Sequence, residues 1–477
     1  MKKRFISNLL LLIFLNLLIK PFWFFGIEVG VQNRVGEEIY GFYFSLFSFA
    51  FILNMLLDVG INTYNNRAIS RDKTLLQQNL AAIIPLKLAL SVVYAGVVLL
   101  AGKILGYSAE QFAMLWILVL NQFLASFILY FRSNISGLQY YRTDSILSVM
   151  DRSLMILFTG LLLWGNISRE PFKIEWFVYA QTASYALTLL ASALIVRYRS
   201  GSFLHKINFS ASRKILRLSY PFALLILLMA LFNRVDSVML ERLLENGKEQ
   251  AGIYAQSYRI FDAVTQFSFL FAMLLLPMFS RMIRHKQEIN GLVRLALPLL
   301  LTAGLSGAIS CNFYKRDIIA LLYDSHVTYS SGIFGWLMIS FLFVSTTYLF
   351  GTLLTANNNL SHLNRAAAIT VGINVSMNLI LIPRYQAQGA AIASLSSQSF
   401  FAIAQWLLAI RLTKISWNGD IMIRLLAFLA INLLVGFLSQ LIPGWIPGFA
   451  LLLFSCIVSA FLLGLVRLSE VLAILSE

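Results

Sequence analysis

Five basic residues stand inside apolar runs long enough to cross a bilayer: Lys20, Lys87, Arg152, Arg234 and Arg259. An ionisable side chain in such a run costs at least a few kcal/mol to insert, so each is a candidate for function. Asp236 and Asp262 share these runs. Arg234 and Asp236 are two positions apart and point to different faces of a helix, whereas Arg259 and Asp262 are three apart and can pair on one face. The chemistry on offer is recognition rather than bond making. Basic side chains in a water-poor cavity replace the hydration of an anion with charge-assisted contacts. Asp236 and Asp262 are the candidates for carrying a coupling proton or cation. Enzymatic constellations are absent. His205, His285, His326 and His362 fall in or near loops, there is no H-E-x-x-H helix, and no glycine-rich phosphate loop is followed by a lysine. No cofactor or metal is expected.

The position of each cation within its run matters. Lys20 lies roughly 22 Å into the first run at 1.5 Å per residue, in the outer half of a membrane. Pro21 follows it and predicts a kink. Arg234 reaches a similar depth in the seventh run, so Lys20 and Arg234 are expected to face one another across a cavity suited to an anionic group. Lys87 and Arg152 fall near the inner ends of runs three and five, where long basic side chains snorkel to the interface. Asp58 and Asp151 are their candidate partners. Arg259 and Asp262 read equally well as a local ion pair.

The elements that carry these residues follow from composition. The chain has 477 residues, 59% of them hydrophobic and only 12% charged, where soluble domains carry about a quarter. Runs of roughly 20 apolar residues recur along it, each enough for a spanning helix. They lie near 6–28, 39–62, 80–102, 113–133, 146–166, 174–196, 215–240, 252–275, 291–313, 332–355, 364–382, 389–410, 421–441 and 448–466, about 14 in all. Helices are required because lipid cannot satisfy backbone polar groups. The fold class is therefore an all-α polytopic membrane protein. The apolar N-terminal run lacks a small-residue cleavage site and reads as a retained span. Connections are short. The longest polar stretch, Arg197 to Arg217, is too small for a separate domain. Cys311 and Cys456 lie in apolar runs and imply no disulfide framework.

The net charge of +16 points to the positive-inside rule rather than to nucleic acid. With the N-terminus inside, loops on that side hold about 23 Lys and Arg against 9 on the other. Both termini are expected to be cytoplasmic.

An internal repeat divides the chain. Glu38-Ile-Tyr-Gly41-Phe-Tyr43 and Glu249-Gln-Ala-Gly252-Ile-Tyr254 share E-x-x-G-x-Y about 211 residues apart, and the same offset places Asn79 on Asn290. A nearly equal one places Ala180 and Ser184 on Ala393 and Ser397. The reading is two six-span halves in the same orientation, 1–200 and 213–412, followed by two further spans in 413–477.

Several segments in this order resemble the polysaccharide transporters, the O-antigen-type oligosaccharide flippases. They are Asp58-Val-Gly60-Ile-Asn62 with Arg67-Ala-Ile-Ser, Asn233-Arg234-Val-Asp236, Gly252-Ile-Tyr254-Ala-Gln-Ser-Tyr-Arg259, Leu276-Pro277, and Asn374 to Ile382 followed by Pro383-Arg384-Tyr385 and Gly389-Ala-Ala-Ile-Ala. The likeness spans nearly the whole chain. The resemblance implies membership of the multidrug, oligosaccharidyl-lipid and polysaccharide exporter superfamily, with two six-helix lobes around a central cavity. It further implies a polyprenyl-diphosphate-linked oligosaccharide as substrate, moved across a bacterial inner membrane by alternating access. Other polysaccharide-assembly proteins would be its partners. Three other readings compete. A multidrug or cation exporter favours an acidic cavity, and here the in-span cations predominate. A peptidoglycan-precursor flippase stays open. A membrane glycan polymerase or ligase would need a large external loop, which the chain lacks.

Overall fold

The computed structural model of the chain describes residues 14–16, 18–165, 169–200, 209–413, 415 and 419–466. The expectations for Lys2, Lys3, Arg4, His205, Lys206, Lys414, Arg467 and both termini lie outside these residues. The described residues are helical throughout, with no strand.

The chain divides into two compact units, Met1–Gly252 and Ile253–Glu477. The first opens with α1 (Phe14–Val35). The break expected at Pro21 takes the form of a π-helical turn, Phe22–Glu28. Proline has no N–H to donate, and a widened turn absorbs the lost register. Gly36, at φ 81°, closes α1 and allows the reversal into α2 (Glu37–Leu57). A second sharp turn follows at Val59 (φ 46°) and Gly60 (φ 80°). A β-branched residue rarely adopts positive φ, so this turn holds strain. It leads into the short polar helix α3 (Ile61–Arg71).

Four long helices complete most of the unit: α4 (Leu75–Ile104), α5 (Ala109–Gly137), α6 (Tyr141–Trp164) and α7 (Ile174–Ser200). A capping box between Ser108 and Gln111 starts α5. Ile61, Leu80, Phe127, Tyr130, Leu147 and Val196 form one buried apolar cluster among them. Helix α8 (Phe209–Leu243) packs on α2 in this same unit. Helix α9 (Gly247–Arg284) begins there and continues into the second unit.

In the second unit α10 (Asn290–Phe313), the short α11 (Lys315–Leu322) and α12 (Val327–Ala356) precede α13 (Leu360–Thr413). Helix α13 has 54 residues, roughly 80 Å at 1.5 Å per residue, far more than the ~30 Å bilayer core. It is broken at Gln386, where φ is 52° and ψ −132°. A Cβ at Gly389 would lie 2.3 Å from the Leu381 carbonyl oxygen, so the small residues after this break let the chain fold closely on itself. Among the described residues 13 helices are long and apolar enough to span, and the broken α13 supplies two crossings.

The last pair, α14 (Gly419–Ser439) and α15 (Trp445–Leu462), docks on α10. Phe313 meets Phe437 edge to face at 5.0 Å, and the Tyr314 hydroxyl donates to Ser439 Oγ at 2.7 Å.

Candidate functional site

The π turn of α1 turns Trp23, Ile27 and Glu28 into the first unit, where all three are buried. Trp23 stacks on Phe177 of α7, ring centroids 5.9 Å apart. The Arg152 guanidinium of α6 lies 5.1 Å over the Trp23 ring. Arg152 Nε is 3.9 Å from Asp151 Oδ2, with the two side chains 32% and 19% exposed. Its charge also acts on Tyr185, Glu28 and Tyr43. Lys20, half-buried two residues before the π segment, feels the charges of Arg152, Asp151 and Arg132. Behind these groups is a hydrogen-bonded layer. Tyr40 donates to the Glu28 carboxylate, and Gln181 Nε2 donates to the Tyr43 hydroxyl at 3.0 Å. Arg132 and Asp144 pair at 2.8 Å nearby in sequence.

Two half-exposed cations thus share one neighbourhood, on an aromatic floor and in front of a satisfied polar layer. Such a face can hold an anion through a lysine point charge and the planar fork of an arginine.

Sequence reasoning placed Arg152 and Lys87 near the inner ends of their runs, and the helices that carry them prove longer than those runs. Helices α4 and α6 begin at Leu75 and Tyr141, five residues earlier than hydropathy suggested, because polar first turns still satisfy their backbone as helix. Each cation therefore sits more than ten residues from the start of its helix. Lys87 is completely buried. Its ammonium donates to the Leu57 carbonyl at 2.8 Å and to Ser126 Oγ at 2.7 Å, and lies 3.6 Å from Asp58 Oδ1. The rings of Phe127 and Tyr130 enclose it at 5.7 and 5.9 Å. The strained turn at Val59 and Gly60 places Leu57 and Asp58 for this contact. Lys87 ties α2, α4 and α5 together rather than facing a cavity.

The other candidates lie elsewhere. Arg234 stands over Phe51 of α2 at 5.2 Å, and Asp236 is fully buried. Arg259 is 6% exposed in the second unit, where the Asp262 charge acts on Tyr348. The charge neighbours of Lys20 are those of α5 and α6, so the cation beside it is Arg152.

Glu28, Tyr40 and Gln181 escaped the sequence reading. Glu28 stands at the expected end of the first span, but α1 extends to Val35 and its π turn carries Glu28 inward. At the far end of the unit, Gln111 accepts from Arg242 Nη2 at 3.0 Å and donates to Glu241 at 2.9 Å, while Arg242 lies 4.2 Å over Tyr107. Burial raises the Tyr107 phenol well above its ordinary pKa, and Glu241 raises it further.

Residues 5–283 match the model of a family described as polysaccharide biosynthesis protein. The chain belongs to this family. No curated protein matches it. Several solved structures share its fold. The lipid II flippase MurJ in an inward closed conformation is 15% identical, over 95% of this chain and 98% of that one, with a TM-score of 0.75. An inward-facing multidrug resistance MATE family transporter of the MOP superfamily is 15% identical over 84% and 98%, with a TM-score of 0.65. A MOP superfamily transporter from Pyrococcus furiosus, whose binding pocket is described as having reverse polarity, is 16% identical over 87% and 97%, with a TM-score of 0.61. At these identities the likeness concerns the fold. This family member is an all-α, multi-pass membrane protein with a transporter fold.

Proposed function

We propose that this family member is a flippase for polyprenyl-diphosphate-linked oligosaccharide, carrying it from the cytoplasmic to the periplasmic leaflet of a bacterial inner membrane. The shared neighbourhood of half-buried Lys20 and of Arg152, which lies over Trp23, carries this reading. The glycan is polar and the diphosphate anionic, so neither enters hydrocarbon unaided. Lys20 and Arg152 replace part of the phosphate hydration with charge-assisted bonds. The apolar tail stays in the bilayer. Two six-helix lobes, 1–200 and 213–412, rock about the site in alternation, with 413–477 outside the repeat. Asp236 and Asp262 remain the candidates for a coupling ion, and Glu28 joins them as a buried carboxylate of the same cluster as Lys20.

A second reading, a peptidoglycan-precursor flippase, is favoured by the MurJ-like fold and the same diphosphate chemistry. Multidrug export is disfavoured, because the half-exposed groups are cations and would repel cationic drugs. The test is reconstitution into liposomes with a fluorescent polyprenyl-diphosphate oligosaccharide, reading protein-dependent loss of protection from an external quencher. Transport of lipid II in preference to the oligosaccharide lipid supports the second reading. Failure to move either, with export of a cationic dye, overturns both.

A further inference from the structure

A cleft of about 550 Å³ opens at the end of the first unit opposite α3, where α1 meets α2 and where α5, α7 and α9 begin. Its volume lies within the roughly 300–1,000 Å³ usual for small-molecule sites. Three cations line it, Arg34, Lys173 and Lys248, together with three carboxylates, Glu38, Glu110 and Glu175. Phe42, Phe172 and Ile39 supply apolar wall, and Lys248 Nζ lies 5.0 Å over the Phe42 ring.

Helix physics accounts for half of this lining. Glu38, Glu110 and Glu175 sit in the first turns of α2, α5 and α7, where the helix dipole favours an acid. The same dipole disfavours a cation, yet Lys248 is the second residue of α9 and Lys173 directly precedes α7. The Glu170 carboxylate, 2.6 Å from the Lys173 ammonium, accounts for that residue, so Lys248 is the lining lysine set against the local preference, a departure of the kind that marks functional positions. None of the six is needed to fill a core, and five of them are exposed, with Lys248 half-buried.

The balance of charge restricts the ligand. A free anion would meet three carboxylates, and a cationic drug would meet three cations. A neutral molecule rich in hydroxyls suits both sets at once, because each hydroxyl donates to a carboxylate and accepts from a lysine or arginine. Its apolar face would rest on Phe42 and Ile39. We propose that this cleft is a saccharide-binding vestibule, receiving sugars of the transported glycan at the non-cytoplasmic mouth. The assignment of that glycan rests on the flippase reading above; the affinity for a neutral oligosaccharide does not.

The test uses the full chain in lipid nanodiscs and saturation-transfer NMR. The probe is oligosaccharide released by mild acid from the surface polysaccharide of the host. Wild-type protein should transfer saturation to sugar-ring protons, and Glu38→Gln with Lys248→Gln should cut that transfer at least fivefold. Glu175→Gln alone, a milder change, should cut it about twofold. Gly96→Ala, with nothing within 4 Å of the new methyl, should leave it unchanged. No transfer in wild type, or undiminished transfer in both cleft variants, overturns the vestibule. Competition by millimolar inorganic phosphate also overturns it, in favour of an anion site. Sugar binding without transport of the diphosphate lipid would overturn the flippase reading and leave the vestibule standing.

Discussion

Gly41 and Gly252 meet backbone to backbone. A Cβ on Gly41 would lie 1.9 Å from the Lys248 carbonyl oxygen, and one on Gly252 would lie 2.0 Å from that of Glu37. Gln32 fastens the crossing by donating to the Gly252 carbonyl at 2.8 Å. These are the shared glycines of the two E-x-x-G-x-Y motifs, so the repeat has a physical reason: α2 and the start of α9 approach more closely than any side chain permits. Replacing Gly41 with Ala should force the helices apart, at a cost of about 1–3 kcal/mol, and Gly252→Val should prevent folding. Gly96→Ala, with nothing within 4 Å of the new methyl, serves as the neutral control. Thermal unfolding in detergent measures all three. Equal melting temperatures for Gly41→Ala and Gly96→Ala would show that the crossing is not tight.

Lys87 should behave as a structural tie. Lys87→Ala leaves the Leu57 carbonyl and Asp58 without its ammonium and opens a cavity among Phe127 and Tyr130, costing about 2–4 kcal/mol. Lys87→Met keeps most of the packing and should recover part of that loss. Equilibrium unfolding should show both effects. A Lys87→Ala protein of normal stability but defective transport would return Lys87 to the substrate path.

Lys20 and Arg152 should behave in the opposite way. Each is half-exposed, so alanine should leave folding nearly unchanged. Loss of one charge-assisted bond, about 1.5–3 kcal/mol, should slow transport roughly 10–100-fold. Arg152→Lys keeps the charge but not the planar fork over Trp23, and should fall between alanine and wild type. Liposome flipping rates check this, and normal rates for both alanine variants would remove the cluster from the substrate path.

Glu28 and Tyr40 should prove energetically coupled. Tyr40→Phe takes one donor from a carboxylate that is 3% exposed, a loss of about 1–3 kcal/mol in stability. Glu28→Gln alone should also cost stability, and the double variant should cost less than the sum. A double-mutant cycle by unfolding measures this, and strict additivity would contradict a functional contact between the two.

The spans were legible along the chain because a bilayer imposes a local rule. Each crossing must satisfy its own backbone, so each announces itself as a long apolar run. The hairpin at Gln386 was legible too, since Pro383 and the small residues from Gly389 mark a reversal. Helix ends were less so: the polar first turns of α4 and α6 carry no hydropathy signal, so both helices begin earlier than their apolar runs.

Hydropathy was enough to establish an all-α polytopic membrane protein with cations in its spans, because it is a local property of the chain, and the resemblance to the polysaccharide transporters pointed to a transporter fold. Which cation stands beside which was a matter for the tertiary structure. Lys20 and Arg152 are 132 residues apart, and their meeting depends on the π turn after Pro21 and on the packing of α1 against α6 and α7. Lys87 and Arg152 look alike in sequence, yet one is enclosed between helices and the other half-open. That difference arises from the direction each helix face takes in the bundle, which no single span encodes.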